Sequence, residues 1–240
     1  MYPAYTGVQL LYYTRHAAEV NRTHLANSTS LSLGGTTRFF FGAGRLCLDF
    51  TRTVRSRGCQ TIEGLASPAD LVRWITESCL PTHSVRCNVT TEHLDVARQL
   101  REAVYRMLVA AISPQRASPK GRSSDRLLVN RCAMLPPPVP QLGPDQRSVS
   151  WKTECSPEAA LALIARDAIE LLGSQNITRV RECADPNCTS LFFDSSRPGM
   201  RRWCSAMPCA NRHKVRSHRA RQAQQQTLGA REDESRQTES

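Results

Sequence analysis

The sequence predicts an α+β protein, in which a mostly helical N-terminal domain with a short sheet precedes a small module built around four cysteines. Three observations lead to this class. Apolar residues recur at helical spacing through much of residues 67–172, short extended segments interrupt that region, and four cysteines form two equally spaced pairs near the C-terminus. With 240 residues, the chain can hold one core-bearing domain plus a small module.

Composition divides the chain into four parts. Residues 1–37 show no sustained period and are predicted to be a disordered extension, and residues 223–240 are almost without apolar side chains and are predicted to be a disordered tail. Residues 38–175 carry the periodic segments of the N-terminal domain. The cysteine module is predicted to occupy residues 176–222.

The N-terminal domain is expected to begin with residues 38–50, RFFFGAGRLCLDF, as a strand that two glycines interrupt and whose LDF end enters the core. A helix start follows at Ser67, which has the residue type of an N-cap, and Pro68 suits the first helical position because its missing N–H costs nothing there. The buried side of this helix is predicted to carry Leu71, Ile75 and Cys79.

Three further helices are predicted, at about 90–112, 125–134 and 156–172, and Ser156-Pro157 repeats the Ser-Pro start at the beginning of the last. The segment between the first two is predicted to be a polar loop. Residues 139–153 are expected to form a hairpin around a Gly-Pro-Asp turn. The apolar face of the longest helix is predicted to contain Leu94, Ala97, Leu100, Val104, Leu108 and Ala111.

Charge is strongly positive and uneven along the chain. The formal net charge is +11, and residues 197–221 contain eight Lys and Arg without one Asp or Glu. Such a block attracts polyanions, although a solubilising surface or a disordered basic tail is an equally good interpretation of charge alone. The N-terminus lacks the pattern of a signal peptide and no segment is apolar enough to span a bilayer, so a cytoplasmic protein without a membrane partner is expected.

The four cysteines are Cys183, Cys188, Cys204 and Cys209, arranged as two Cys-x4-Cys pairs. Each pair can turn two sulfurs toward one point, as a tetrahedral Zn²⁺ site with four thiolates requires, and a reducing compartment favours metal over disulfides. Four thiolates leave no open coordination position. The sequence therefore predicts one structural zinc ion per chain in a four-cysteine zinc finger that ends in a basic helix.

The finger also supplies the candidate nucleic-acid-binding residues. The arginines between the cysteine pairs could contact phosphates or could offset the charge of the thiolates. Asn211 could cap the terminal helix or contact a base edge. Asp194 is expected to pair with one of these arginines or to orient the hairpin, rather than to act as a base. The candidate nucleic-acid contacts are Arg197, Arg201, Arg202, Asn211, Arg212, Lys214, Arg216, Arg219 and Arg221.

Residues 181–221 resemble the CGNR zinc finger family, with both cysteine pairs, the LFFD segment and the RRWC segment in place. The Cys-Gly-Asn-Arg signature stands here as CANR, so Ala210 replaces the glycine and could strain that position. Residues 39–172 resemble the ABATE domain that commonly precedes this finger. That resemblance implies a bacterial, stress-induced transcription regulator. Arg52 stands where this family usually has Asn, which leaves the role of that position open.

Three classes of function compete. A DNA-binding transcriptional regulator, associated with the nucleoid, is the leading hypothesis, with an N-terminal domain that senses a signal, forms a homodimer or contacts the transcription machinery. The alternative is a zinc-clip adaptor that binds RNA or an acidic protein. Enzyme activity is not expected, because Cys-x4-Cys is not the redox Cys-x-x-Cys spacing and no phosphate-binding loop or nucleophile motif is found.

Overall fold

A computed structural model describes residues 38–57, 59–78, 88–116, 122–152 and 156–204, together with six positions between 209 and 222. The predicted extension 1–37 and tail 223–240 lie outside the described residues. Within them, the helices are α1 (Leu46–Thr51), α2 (Pro68–Glu77), α3 (Thr91–Ile112), α4 (Arg122–Ala133) and α5 (Pro157–Leu172). The strands are β1 (Val54–Arg55), β2 (Ile62–Glu63), β3 (Val139–Leu142), β4 (Val149–Lys152), β5 (Val180–Glu182) and β6 (Leu191–Phe193).

The strands form three separate antiparallel pairs, β1 with β2, β3 with β4, and β5 with β6. Short two-stranded sheets around a mostly helical region confirm the α+β class. Two short 3₁₀ segments, Pro114–Arg116 and Gln175–Arg179, follow α3 and precede β5. Within the described ranges, no helix is long and apolar enough to cross a membrane.

The expected strand over residues 38–50 is wrong: this segment is an extended lead-in followed by α1. Gly42 and Gly44 have φ angles of 96° and 91°, which break an extended chain before it can pair. The Asp49 carboxylate then accepts hydrogen bonds from the backbone N–H groups of Gly42 and Ala43, at 3.2 and 2.7 Å. The expectation that the LDF end enters the core is confirmed, since these three residues are buried.

The predicted caps are present on the long helices. The Ser67 side chain caps α2 in a reciprocal box with Asp70, and the Ser156 hydroxyl accepts from the N–H of Ala159 at the start of α5. The sequence did not reveal the cap of α3, where Thr90 and His93 exchange the same pair of bonds. These local bonds explain why the predicted helix starts agree with the structure.

The predicted buried faces agree in most positions. Leu71 and Ile75 are buried, as is Trp74, whose ring lies 4.9 Å from that of Phe50 in an edge-on arrangement. Cys79 lies outside the described residues. On α3 the predicted apolar residues are buried except Ala111, which is exposed because it lies in the last turn.

The helix predicted at 125–134 begins earlier, at Arg122. Asp125, the first residue of the predicted helix, lies in the first turn of α4, and its carboxylate pairs with Arg106 of α3 at 2.6 Å. The predicted hairpin is confirmed: Val139 pairs with Lys152 and Leu142 with Val149. The polar loop expected before α4 is interrupted by the 3₁₀ turn Pro114–Arg116.

One hydrophobic core joins the helices to the cysteine module. It contains Phe50, Trp74 and Leu108 from the helices, and also Phe192, Cys204 and Cys209 from the C-terminal part of the chain. Buried apolar side chains of both parts therefore form one core, and the cysteine module packs against the helices.

Backbone contacts fix this junction. The N–H of Phe193 donates to the carbonyl of Ala43 at 2.7 Å, which attaches β6 to the chain just before α1. A Cβ at Gly44 would lie 2.9 Å from the Cβ of Phe193, so glycine permits the close approach of the two segments. Deeper in the core, Arg45 pairs with Asp167 of α5 at 2.9 Å.

Candidate metal centre

Four sulfur atoms converge at the C-terminal end of the core. The Sγ atoms of Cys183, Cys188, Cys204 and Cys209 all lie within 4.8 Å of one another. The Cys188–Cys204 and Cys204–Cys209 separations are each 3.6 Å. A tetrahedral zinc ion with Zn–S bonds of about 2.3 Å would place its sulfurs about 3.8 Å apart, so the cluster has the dimensions of such a site.

The β5–β6 hairpin positions the first two cysteines. Cys183 follows β5 directly, and its N–H donates to the carbonyl of Ser190 at 2.9 Å, which closes the loop between the strands. Within that loop the N–H of Cys188 donates to the carbonyl of Asp185 at 2.9 Å. The tight turn aims both thiols to the same side, as the Cys-x4-Cys spacing predicted.

The second half of the site is attached through the backbone. The N–H of Ala184, next to Cys183, donates to the carbonyl of Arg202 at 2.8 Å. This bond places Cys204 opposite the first loop. Cys209 completes the cluster and is 1% exposed, while Cys204 is 2% exposed.

The thiols shift one another's pKa values because they share hydrogen bonds. The bond with Cys188 raises the pKa of Cys183, and the bonds with Cys204 and Cys209 lower it by more, to about 7. The pKa of Cys188 is lowered further, first by Cys183. The pKa values of Cys204 and Cys209 are raised, chiefly because each would have to ionise beside Cys183 and Cys188.

Four thiolates can therefore coexist here only when a cation replaces the protons, and metal binding must release those protons. The donor set fits zinc, which accepts four thiolates without a geometric preference of its own. Buried sulfurs on three of the four cysteines leave little access for a substrate or water. The chemistry of the centre is structural.

Asp194 organises the loop between the cysteine pairs. Its buried carboxylate accepts from the N–H and hydroxyl of Ser196 at 3.0 and 2.6 Å, and from the N–H of Arg201 at 2.8 Å. The hydrogen bond from the Ser196 hydroxyl is the main reason that the pKa of Asp194 is lowered. As expected, this carboxylate orients the hairpin.

Arg201 supports the same loop. Its guanidinium donates to the carbonyls of Trp203, at 2.8 Å, and Cys204, and it lies over the Phe192 ring with 4.9 Å to the centroid. These bonds satisfy carbonyl oxygens next to a cysteine of the cluster. Arg201 is thus built into the wall of the centre.

Other predicted contact residues lie on the surface around the centre. Arg197 and Arg202 are exposed on the loop between the cysteine pairs, and Lys214 and Arg219 are exposed at helical positions. Arg202 lies over the Trp203 ring, 5.1 Å from the centroid. The predicted contacts Asn211, Arg212, Arg216 and Arg221, as well as Ala210, lie outside the described residues.

Sequence reasoning missed that Arg52 lies beside the centre. This side chain is 7% exposed, and its Nη1 atom lies 3.7 Å from the Asp49 carboxylate but makes no hydrogen bond within the described chain. Its charge opposes the rise in the pKa of Cys204 that the neighbouring thiols cause. The only signal in the sequence was the departure from the usual Asn.

Comparison with known families supports the interpretation of the four cysteines as a zinc finger. The CGNR zinc finger family matches residues 179–222. The ABATE family, described as "Putative stress-induced transcription regulator", matches residues 44–175, more than half of the chain. No curated protein gave a significant match.

The chain therefore belongs to the ABATE family and carries a CGNR zinc finger. The order of the two matches agrees with the order of the predicted domains. Together with the four converging cysteines, the finger match supports one zinc ion per chain. Neither family is a family of enzymes by its description.

Proposed function

We propose that this protein is a zinc-dependent, DNA-binding transcription regulator. In this proposal Cys183, Cys188, Cys204 and Cys209 bind the zinc ion as thiolates, and the basic surface around them binds the phosphate backbone of DNA. The protein acts in the bacterial cytoplasm at the nucleoid. Its response to stress rests on the description of the ABATE family alone.

The observation that carries the proposal is the positive charge without ion-pair partners on the described surface around the metal centre. Arg197 and Arg202 are exposed, and within the described part of the chain neither forms an ion pair. Both belong to the loop between the cysteine pairs, which Asp194 and Arg201 hold in place. Because the loop is held in place, its arginines need no rearrangement of the loop to reach phosphates, and Arg can bridge two phosphate oxygens.

The predicted contact residues take different roles in this proposal. Arg197, Arg202, Lys214 and Arg219 contact phosphates, and the basic residues between and beyond them extend that surface: Arg212, Arg216 and Arg221. Asn211 reads a base edge or caps the terminal helix. Arg201 contributes charge but acts mainly by holding the loop, because its Nε and Nη2 atoms already donate to carbonyls.

Titration of labelled duplex DNA at several salt concentrations tests the proposal. The double variant Arg197→Gln, Arg202→Gln keeps the cysteines and should keep the zinc. If both arginines contact phosphates, the slope of log K against log salt becomes shallower by about 1.8, since each lost contact removes about 0.9. A control variant, Arg126→Gln with Arg131→Gln, removes two exposed charges from α4 and should leave the slope unchanged.

Competition distinguishes the adaptor alternative. If structured RNA or an acidic protein displaces DNA completely at equal charge, and binds more tightly at every salt concentration, the finger is an adaptor and the DNA proposal is wrong. Absence of any salt-dependent affinity for duplex DNA would also contradict it. Zinc content measured on the same samples shows whether the finger was intact.

A further inference from the structure

A second cationic surface lies on the N-terminal domain. The guanidinium carbons of Arg38 and Arg55 lie 5.6 and 5.1 Å from the centroid of the Phe40 ring. Arg38 is exposed, and Phe40 and Arg55 are partly exposed. These three residues form what we call the Arg–Phe patch. Attraction between a guanidinium and an aromatic ring holds each arginine near its position before any ligand arrives.

The charge of this patch is not compensated. Within the described residues neither Arg38 nor Arg55 forms an ion pair, although two other arginines that lie over aromatic rings do. Arg57 lies over Tyr105 and pairs with Glu102 at 2.6 Å. Arg73 lies over Phe39 and pairs with Asp70 at 3.0 Å. Of the four arginines that lie over rings in the described part of this domain, two therefore have a carboxylate partner, and the two of the Arg–Phe patch do not.

Because Arg55 is partly buried, the lack of a carboxylate partner in the described part of the domain destabilises its charged form. Desolvation is the main reason that the pKa of the Arg55 guanidinium is lowered, and the charge of Arg52 lowers it further. Arg52 is itself buried, and its Nη1 atom lies 3.7 Å from the Asp49 carboxylate but has no hydrogen-bond partner in the described chain. A partly buried cation beside a second cation is stabilised when an anion approaches.

The backbone connects the segment that carries the patch to the finger. Phe40 stands just before Ala43, whose carbonyl accepts the hydrogen bond from Phe193 of β6. Arg52 lies near enough to both regions for its charge to lower the pKa of the Arg55 guanidinium and to oppose the rise in the pKa of Cys204. A polyanion bound along the finger would therefore pass close to the Arg–Phe patch.

We propose that the Arg–Phe patch is a second DNA contact, in which Arg38 and Arg55 pair with backbone phosphates and Phe40 holds their guanidinium groups in place. This inference rests on the proposed DNA-binding function of the finger. It assigns to the N-terminal domain a direct share in affinity. Phosphate contacts carry no sequence information, so the patch sets the register of the protein on the duplex.

The experiment compares four full-length proteins on one DNA duplex between about 50 and 200 mM salt. They are the wild type, Arg38→Gln with Arg55→Gln, the finger variant Arg197→Gln with Arg202→Gln, and the α4 control Arg126→Gln with Arg131→Gln. All three variants lose two positive charges, so a general change in net charge affects them equally. Zinc content and a thermal melt verify that each is folded.

Raising the salt concentration from about 50 to about 200 mM weakens DNA binding by every one of these proteins. If the patch contacts two phosphates, the fold-loss of affinity is about 12 times smaller for its variant than for the wild type, because two contacts account for about 1.8 of the log–log slope. The α4 control keeps the wild-type slope. A Phe40→Leu variant, which retains both charges, weakens binding at the lowest salt concentration without changing the slope by as much.

Two results overturn the inference. If the patch variant keeps the wild-type slope while the finger variant loses part of it, the N-terminal domain makes no phosphate contact and only the finger proposal stands. If the wild type shows no salt-dependent affinity for the duplex, the proposed function fails and the inference fails with it.

Discussion

The helical N-terminal region and the finger achieve stability by different means. In the helical region, arginines are matched by carboxylates: Arg101 pairs with Glu63 at 2.6 Å and Arg106 with Asp125 at 2.6 Å. In the finger, Arg197 and Arg202 lack such partners within the described chain, and four sulfurs converge instead. The first region is stabilised by apolar burial and by ion pairs, and the second by a metal site surrounded by arginines without carboxylate partners among the described residues.

This difference indicates where each region can serve function. A surface whose charges are paired has little electrostatic attraction for DNA, and in the helical region the Arg–Phe patch is the proposed exception. In the finger, a metal can fix a loop whose cations remain available. Yet both regions share one core, since Phe192 and Cys204 pack with the helices. Loss of the metal should therefore also destabilise the part of the core outside the finger.

The largest effect is expected from removal of zinc. Zinc sites in finger peptides contribute about 10 to 16 kcal/mol of apparent binding free energy, which here is free energy of folding of the finger. After chelation, hydrogen exchange should accelerate first at the amides of the β5–β6 hairpin and of Ala184. Exchange in the centre of α3 should change much less, and equal acceleration in both regions would show that they unfold as one unit.

Truncation of Phe192 should have the next largest effect. This ring is fully buried between the finger and the helices, and Phe→Ala changes in cores cost about 3 to 5 kcal/mol. Denaturant unfolding of Phe192→Ala measures the loss, and Trp74→Ala gives the matched change in the helical region. A loss under about 1 kcal/mol for Phe192→Ala, well below that range, would mean that the ring does not connect the two regions.

The pair Gly44→Ala and Gly199→Ala isolates the contact between the regions. Both glycines have positive φ angles, but a Cβ at Gly44 meets Phe193 at 2.9 Å while one at Gly199 meets nothing within 4 Å. Each substitution should cost about 1 to 2 kcal/mol for the backbone, and Gly44→Ala about 1 to 3 kcal/mol more for the clash. Equal melting temperatures of the two variants would contradict the close approach.

The smallest effect concerns pH and the paired charges. Burial raises the pKa of Glu102, but hydrogen bonds and charges from Arg57 and Arg101 lower it by more. Because the folded pKa lies below the unfolded value of about 4.3, this stabilisation is present above that pH and is lost as the pH falls through the folded pKa. Glu102→Gln should therefore lower the melting temperature at about pH 7 and have a smaller effect near about pH 3.

The local features of this fold were predictable from sequence. Ser-Pro pairs marked the starts of α2 and α5, and the apolar spacing located α3, because caps and periodicity depend on neighbouring residues. The conformation of segment 38–50 was not predictable, since its phenylalanines favour a strand. The positive φ angles at Gly42 and Gly44, and the bonds to Asp49, determine its actual path.

The candidate site divides in the same way. Equal Cys-x4-Cys spacing was enough to predict the sulfur cluster. Sequence alone did not show that Arg201 bonds to carbonyls, that Arg52 lies beside Cys204, or that Arg38 and Arg55 share one ring. Each of these depends on contacts that the folded chain brings together, and neither composition nor periodicity reports them.

The most direct test of a metal-dependent DNA-binding surface is to measure DNA binding and zinc content together. The metal is removed from the full-length protein, returned in steps, and the number of DNA-binding sites is counted at each zinc-to-protein ratio. We predict that binding capacity rises in proportion to zinc and saturates at one ion per chain. Full DNA-binding capacity in the metal-free protein would contradict this prediction, because the basic surface would then need no metal to form.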